Sequence, residues 1–298
     1  MALPLDKNSR ASGLLLGTAA DLSRTWSRLR LDRATSVGLS IVAIVTLLGI
    51  LGPLVTPYDP YDTNPRARFA APSVEHPWGT DTFGRDILTR SLYAVRVDLP
   101  SAVAISLVSF LVGSVIGAIA GYHGGWVDLT VMRGVDILMS FPSFILAMGI
   151  TAMLGHSITN LIVAVSVAYL PYFIRLTRGE MLKARDTTYA DAARCTGNPG
   201  WRIMLVHLLP NCIVPSMTQG ILCTGWAMLD VAGLSFIGLG IQPPTAEWGV
   251  MVADGTRDII AGQWWTSVFP GLMIAFTVLG FVLVGERIRG MASPHLRQ

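Results

Sequence analysis

The side chains that could carry out chemistry in this 298-residue sequence are few and scattered. Its only lysines are Lys7, which Asn8 follows, and Lys183, which Ala184 follows, so the phosphate-binding pattern G-x-x-x-x-G-K-[ST] is absent. The histidines include no pair four residues apart and no H-E-x-x-H motif. We therefore expect this chain to have no catalytic residue, to hydrolyse no ATP itself and to bind no metal or other cofactor. The three cysteines lack metal-ligand spacing and are predicted to be buried small hydrophobes: Cys195, Cys212 and Cys223.

The densest group of charged side chains lies in residues 175–202, with six basic and three acidic residues. Helix-forming residues occupy 180–194, and Gly-Asn-Pro-Gly at 197–200 then breaks the helix. A second short helix is expected from about residue 201 to Pro210, because proline is tolerated near a helix start. The sequence thus predicts a helix, a sharp turn and a helix that could transmit force to a partner.

The elements that must position these residues are membrane spans. The chain is 52% hydrophobic and only 14% charged, and its mean hydropathy is +0.54, values that exclude a soluble protein of this length. Uncharged runs cover residues 34–58, 99–127, 137–174, 203–229 and 259–285. The third run is too long for one span and is expected to break at Gly155-His156-Ser157, giving six transmembrane helices.

The distribution of basic residues predicts the orientation. With the N-terminus inside, 16 of the 22 Lys and Arg residues lie on the inner side, so both termini are expected to be cytoplasmic. The first span follows a long polar segment and ends at Gly52-Pro53 without a small-residue cleavage site, so it is expected to be an uncleaved anchor.

The charged segment has a pattern with a known counterpart. Asp191-Ala192-Ala193, three residues, Gly197 and then His207-Leu208-Leu209-Pro210 resembles the EAA loop of ABC importer permeases, which reads Glu-Ala-Ala, three residues, Gly, nine residues and Ile-x-Leu-Pro. Asp191 replaces the glutamate, and His207 at the isoleucine position is similar to the dipeptide and oligopeptide branch. The resemblance implies that this segment seats in a groove of an ATPase subunit; the alternative is an ordinary amphipathic connector.

Three further strings resemble C-type permeases of that branch, at residues 76–86, 121–136 and 234–249. The first contains the extracytoplasmic signature residues: His76, Gly79, Asp81, Gly84, Arg85 and Asp86. The C-terminal segment 282–286, Val-Leu-Val-Gly-Glu, departs from the Asn-Leu-Leu-Gly-Asp that relatives often have.

The resemblance implies an all-α polytopic membrane protein with the type I ABC importer fold, in the inner membrane of a prokaryote. The expected organisation is a cytoplasmic tail (1–34), a permease domain (35–290) with an external loop (56–98) and a coupling loop (175–210), and a C-terminal tail (291–298). Implied partners are a homologous permease in a heterodimer, two ATPase subunits that hold ATP and Mg, an external substrate-binding protein and membrane lipid, with no nucleic acid.

The function that the resemblance implies is ATP-driven import of di- or oligopeptides by alternating access. Import of nickel or a metal chelate remains an alternative. A secondary transporter is less favoured, because Asp230 is nearly the only charge expected inside a span and coupling ions need such charges.

Asp230 follows Trp226 near the outer end of the fifth predicted span. An intramembrane acid usually faces a cavity or a partner, so both residues are candidates for the substrate path, where the carboxylate would suit a peptide ammonium group. The alternative is an interfacial acid solvated from outside.

Gly113, Gly117 and Gly121 recur every four residues in the second predicted span. Such spacing lets helix backbones approach closely in lipid. Packing within the subunit is favoured over a face against a partner permease.

Overall fold

A computed structural model describes residues 33–292 of the chain, so the predicted tails at 1–34 and 291–298 lie almost entirely outside the described residues. In chain order the main helices are α1 (Arg33–Val55), α2 (Ile87–His123), α3 (Gly125–Met139), α4 (Ser143–Leu154), α5 (Ile158–Ala184), α6 (Thr188–Cys195), α7 (Gly200–Cys212), α8 (Val214–Phe236), α9 (Trp248–Ile259) and α10 (Trp265–Ala292). The middle of α7, Ile203–Leu208, is π-helical. No β-strand is present in this part of the chain, apart from one isolated bridge between Thr80 and Asp86.

The helices provide up to six membrane spans, the number predicted. Four of them, α1, α2, α5 and α10, are each long and apolar enough to cross a bilayer. The pairs α3–α4 and α7–α8 are bent by 90° and 57°, and the total reaches six if each bent pair is one span. The predicted break at 155–157 separates α4 from α5, since Gly155 has a positive φ of 87°.

Two long helices do not begin where the uncharged runs begin. The second span was expected from residue 99, but α2 begins at Ile87, because Asp86 caps the helix by accepting a hydrogen bond from the Thr89 N–H at 2.7 Å. Residues 87–98, which were expected to belong to the external loop, are helical, so the loop between α1 and α2 covers residues 56–86. In the last uncharged run, α9 ends at Ile259, a turn with Gly262 at φ 91° follows, and the last long helix begins at Trp265.

The core has two parts at different depths of the bundle. In the larger part, Ile105 of α2, Phe173 of α5, Met228 of α8 and Trp248 of α9 belong to one buried cluster. The smaller cluster joins α2 and α5 to α6 and α7. We call the end with loop 56–86 and α9 the loop end, and the end with α6 and α7 the coupling end.

Candidate functional site

At the loop end, the signature residues fold the loop against the start of α2. His76 Nδ1 lies 2.9 Å from Asp86 Oδ1, and Arg85 Nε donates to Asp81 Oδ2 at 2.6 Å. Gly84 has a φ of 75° and lies directly against the backbone of Asn64, so a side chain there would clash. These contacts build the loop, and the side chains of Arg85 and Asp86 are buried rather than presented to a partner.

Gly79, the remaining signature residue, faces the indole of Trp265. It has a φ of 72°, and a Cβ there would lie 2.7 Å from the indole nitrogen. The Trp265 Nε1–H donates to the carbonyl oxygen of Thr80 at 3.3 Å, so α10 closes over the loop.

Arg90 links loop 56–86 to the connection between α8 and α9. Its Nη1 donates to the carbonyl oxygen of Pro60 at 2.8 Å, and its Nη2 donates to that of Pro244 at 3.4 Å. Beside it, a small cavity is lined by Asp254, whose carboxyl pKa is raised by burial. The Arg90 side chain is only 2% exposed, and its buried charge is satisfied by these two carbonyl oxygens and by Asp81 Oδ2, 3.9 Å from its Nε.

A pair of buried acids lies deeper in the loop end and was not predicted. The Trp248 N–H donates to Asp98 Oδ2 at 3.1 Å, and the Val250 N–H donates to Glu247 Oε2 at 2.7 Å. Asp98 is 2% exposed and Glu247 is fully buried, while Asp98 Oδ1 and Glu247 Oε1 have no hydrogen-bond partner. Burial raises the pKa of the Glu247 carboxyl to about 7. Asp230 is therefore not the only acid within the helical bundle; Asp98 was overlooked because it directly precedes an uncharged run.

Asp230 lies on α8 and is half-buried. The Tyr169 hydroxyl on α5 donates to Asp230 Oδ2 at 2.7 Å. Trp226, one turn earlier, is 44% exposed. The Tyr169 ring packs edge-on against Tyr172 with centroids 6.2 Å apart.

Tyr172 lines a cavity of about 300 Å³ at the α3–α4 bend, together with Ser140, Phe141 and Ser143. The exposed aromatic rings here are Trp226, Tyr172 and Phe141, whereas Tyr169, which joins Asp230 to Tyr172, is only 5% exposed. Asp230 and Tyr169 do not line the cavity themselves.

At the coupling end, the segment with the Glu-Ala-Ala-like pattern is exposed on one side and packed on the other. Asp191 is exposed and accepts a hydrogen bond from Arg194 Nη1 at 2.6 Å, and Ala192 is also exposed. Gly197, with a φ of 76°, makes the turn after α6. Cys195 ends α6 and is exposed, so its predicted burial is wrong; Cys212 and Cys223 are buried as expected.

The packed side joins α6 and α7 to the long helices. Ala190, Ile203 and Leu208 are buried against Met181 of α5 and Ala118 of α2, with Ala193 at the edge of this cluster. His207 is half-buried and Pro210 is exposed. A force applied to α6 and α7 therefore acts directly on α2 and α5.

The three glycines of α2 lie against α5 of the same chain. A Cβ at Gly113 would lie 2.6 Å from Phe173 Cβ, one at Gly117 would lie 2.5 Å from the Ile174 carbonyl oxygen, and one at Gly121 would lie 2.8 Å from Met181 Cβ. The two backbones are in close contact along this face.

Within residues 33–292, no group of three or more His, Cys, Asp or Glu side chains could hold a metal ion. The candidate site residues thus form an exposed segment with the Glu-Ala-Ala-like pattern, a polar and aromatic route between α5 and α8 (Asp230, Tyr169 and Tyr172), and a closed loop end.

Comparison with known proteins agrees with this architecture. Residues 113–298 match the model of the family described as binding-protein-dependent transport system inner membrane component, and residues 22–72 match the N-terminal TM domain of oligopeptide transport permease C. The chain is 38% identical over 272 residues to the dipeptide transport system permease protein DppC of Alkalihalophilus pseudofirmus, covering 91% of this chain and 89% of that protein.

Two further relatives match 85% and 97% of this chain. Identity is 38% over 254 residues, 85% of each chain, to the probable D,D-dipeptide transport system permease protein DdpC of Escherichia coli. It is 33% over 296 residues, 97% of each chain, to the di/tripeptide transport system permease protein DppC of Pseudomonas aeruginosa. The chain therefore belongs to the family of binding-protein-dependent transport system inner membrane components.

Proposed function

We propose that this chain is one of two homologous permease subunits of an ATP-driven importer of di- and oligopeptides in the inner membrane of a prokaryote. A pair of ATPase subunits holds ATP and Mg, and an external binding protein delivers the peptide to the loop end. In this arrangement both termini lie in the cytoplasm, as the distribution of Lys and Arg favours.

The observation that carries the proposal is the two-sided coupling segment. Its outer face presents Asp191 and Ala192, while its inner face packs on α2 and α5 through Ala190 and Leu208. ATP-driven closure of the ATPase pair would move α6 and α7 and bias the spans between inward- and outward-facing states. Coupling then requires only that the ATPase pair binds these two states with different affinity.

The route along α5 and α8 supports a peptide substrate. Tyr169 donates to the Asp230 carboxylate and packs against Tyr172, which lines the cavity. A carboxylate beside aromatic rings suits the terminal ammonium group of a peptide. The relatives that are named for dipeptide transport favour the same substrate class.

The direct test is uptake by proteoliposomes that contain the chain with its partner permease, the ATPase pair and the binding protein. We expect accumulation of a labelled dipeptide that requires both ATP and the binding protein. Accumulation of a nickel chelate in place of the dipeptide would favour the metal-chelate alternative. Gradient-driven transport by the isolated chain would instead identify a secondary transporter.

A substitution at the turn tests coupling itself. Gly197 has a φ of 76°, whereas proline is restricted to a φ of about −65°, so Gly197→Pro must rebuild the turn. We expect ATP hydrolysis to continue while uptake is lost. Gly197→Asn is the matched control, because asparagine tolerates the left-handed region and should preserve uptake. Normal uptake by Gly197→Pro would defeat the proposed role of this segment.

A further inference from the structure

Helix α3 is poorly packed for a helix in the middle of the chain. Of its 15 residues, only Val135 is buried. Trp126, Leu129 and Ile137 are exposed by 80%, 53% and 65%. Apolar burial within the chain therefore does little to fix the position of α3.

Two ion pairs to α5 fix the helix instead. Arg178 forms a bidentate pair with Asp128, with Nη2 2.6 Å from Oδ2, and these side chains are 28% and 17% exposed. Nearer the bend, Arg175 Nη2 donates to Asp136 Oδ1 at 2.6 Å in a more exposed pair. The bidentate, partly buried pair is the stronger of the two, because planar two-point contacts are both directional and less hydrated.

The start of α3 has the backbone of a hinge. Gly124 and Gly125 both have positive φ values, 65° and 52°, and no side chain caps the helix. Arg185 lies at this corner, where its Nη1 donates to the Gly121 carbonyl oxygen at 3.0 Å. Arg194 of α6 donates to the Arg185 carbonyl oxygen at 2.9 Å, so the corner is in contact with the coupling segment.

The far end of α3 forms a wall of the Tyr172 cavity. Leu138 and Met139 line it, and the 90° bend into α4 follows immediately. A rotation of α3 about its glycine corner would therefore open or close this cavity.

We propose that Asp128 and Arg178, assisted by Asp136 and Arg175, are positioning residues that latch α3 against α5 and so set the shape of the Tyr172 cavity during transport. Movement of the coupling segment reaches the latch through Arg185 at the hinge. This inference rests on the proposed import function, but the position of α3 can be measured without transport.

A charge exchange tests the latch in the complete reconstituted assembly. Asp128→Arg places two arginines face to face, and Arg178→Asp places two acids face to face. We expect each single variant to assemble and hydrolyse ATP but to lose about tenfold in uptake, a typical size for coupling between sites. The double variant Asp128→Arg/Arg178→Asp restores an opposite pair and should recover uptake to within about threefold of wild type.

A control variant is available on the same helix. Arg133 is exposed and forms no ion pair with any residue that the structure describes, so Arg133→Asp should transport like the wild type. Wild-type uptake in both single variants, or no recovery in the double variant, would overturn the latch.

The second measurement reports the position of α3 directly. Spin labels are placed at Ile137→Cys on α3 and Val163→Cys on α5, both exposed, in a Cys195→Ser background that leaves only the buried Cys212 and Cys223. We expect one narrow distance distribution with the latch intact, a broad one with Arg178→Asp, and a narrow one again in the double variant. An unchanged distribution in Arg178→Asp would overturn the latch even if the assembly imported no peptide.

Discussion

Replacing Gly117 by alanine tests how tightly α2 and α5 pack. A Cβ at Gly117 would lie 2.5 Å from the Ile174 carbonyl oxygen and 3.1 Å from both the Arg178 N and the Thr177 Cβ. Two of these three atoms belong to the α5 backbone, so no side-chain rotation can relieve the contact. The two helices must separate.

The expected loss follows from two opposing effects. Overpacking of a core by one methyl group costs about 1–3 kcal/mol. Alanine recovers about 0.5–1 kcal/mol of helix propensity relative to glycine. The net prediction for Gly117→Ala is a loss of about 1–2 kcal/mol in the free energy of unfolding.

Gly179→Ala is the matched control on the facing helix. A Cβ at Gly179 meets nothing within 4 Å, so this variant should gain about 0.5–1 kcal/mol from propensity alone. Thermal unfolding of the purified permease pair in detergent measures both variants. Gly117→Ala should melt a few degrees below wild type, and Gly179→Ala at or above it. A Gly117→Ala protein that melts at or above wild type would refute close packing of α2 on α5.

Three further predictions concern the polar groups. Asp230→Asn keeps the Tyr169 hydrogen bond but removes the charge, so peptide affinity or uptake rate should fall about tenfold at unchanged membrane levels; unaltered transport would remove Asp230 from the route. Because burial raises the pKa of Glu247 to about 7, the folded state holds this proton more tightly than the unfolded state, and stability should fall as pH rises from about 4.5 to 7. The melting temperature should be lower at pH 8 than at pH 5 in the wild type, and Glu247→Gln should reduce this difference without abolishing it, because burial also raises the pKa of Asp254; an equal pH dependence in both would contradict this assignment. Arg90→Lys keeps a charge but cannot reach the carbonyl oxygens of Pro60 and Pro244 together, so limited proteolysis should cut loop 56–86 several-fold faster, and an unchanged cleavage rate would contradict the bridge.

Local patterns predicted the parts of the molecule that depend on neighbouring residues. The break at 155–157 and the turn at 197–200 follow from glycine and proline, whose backbone preferences act within a few residues. The uncharged runs predicted the number of spans, because hydrocarbon excludes unpaired charge over a fixed length. The same rule misplaced the start of α2, since it cannot recognise that Arg90 is satisfied by distant carbonyl groups.

The candidate sites were predicted only in part. The segment proposed for coupling could be located because its pattern is contiguous and resembles a known loop. The contacts that this segment makes with the rest of the chain could not be predicted. Arg194 donates to the carbonyl oxygen of Arg185 because the chain folds back there, and no sequence pattern marks that contact. The buried acids Asp98 and Glu247 were missed for the same reason: the backbone that satisfies Asp98 lies 150 residues away.

By itself, the sequence determined that the chain is helical and spans the membrane, because composition and the spacing of charges decide these properties. Only the tertiary structure decided which charges are paired. Arg175 meets Asp136 across 39 residues, Arg178 meets Asp128 across 50, and Tyr169 meets Asp230 across 61. Each pair forms because helix packing brings two faces together, and a bonded charge inside the bundle is stable only where that packing supplies its partner.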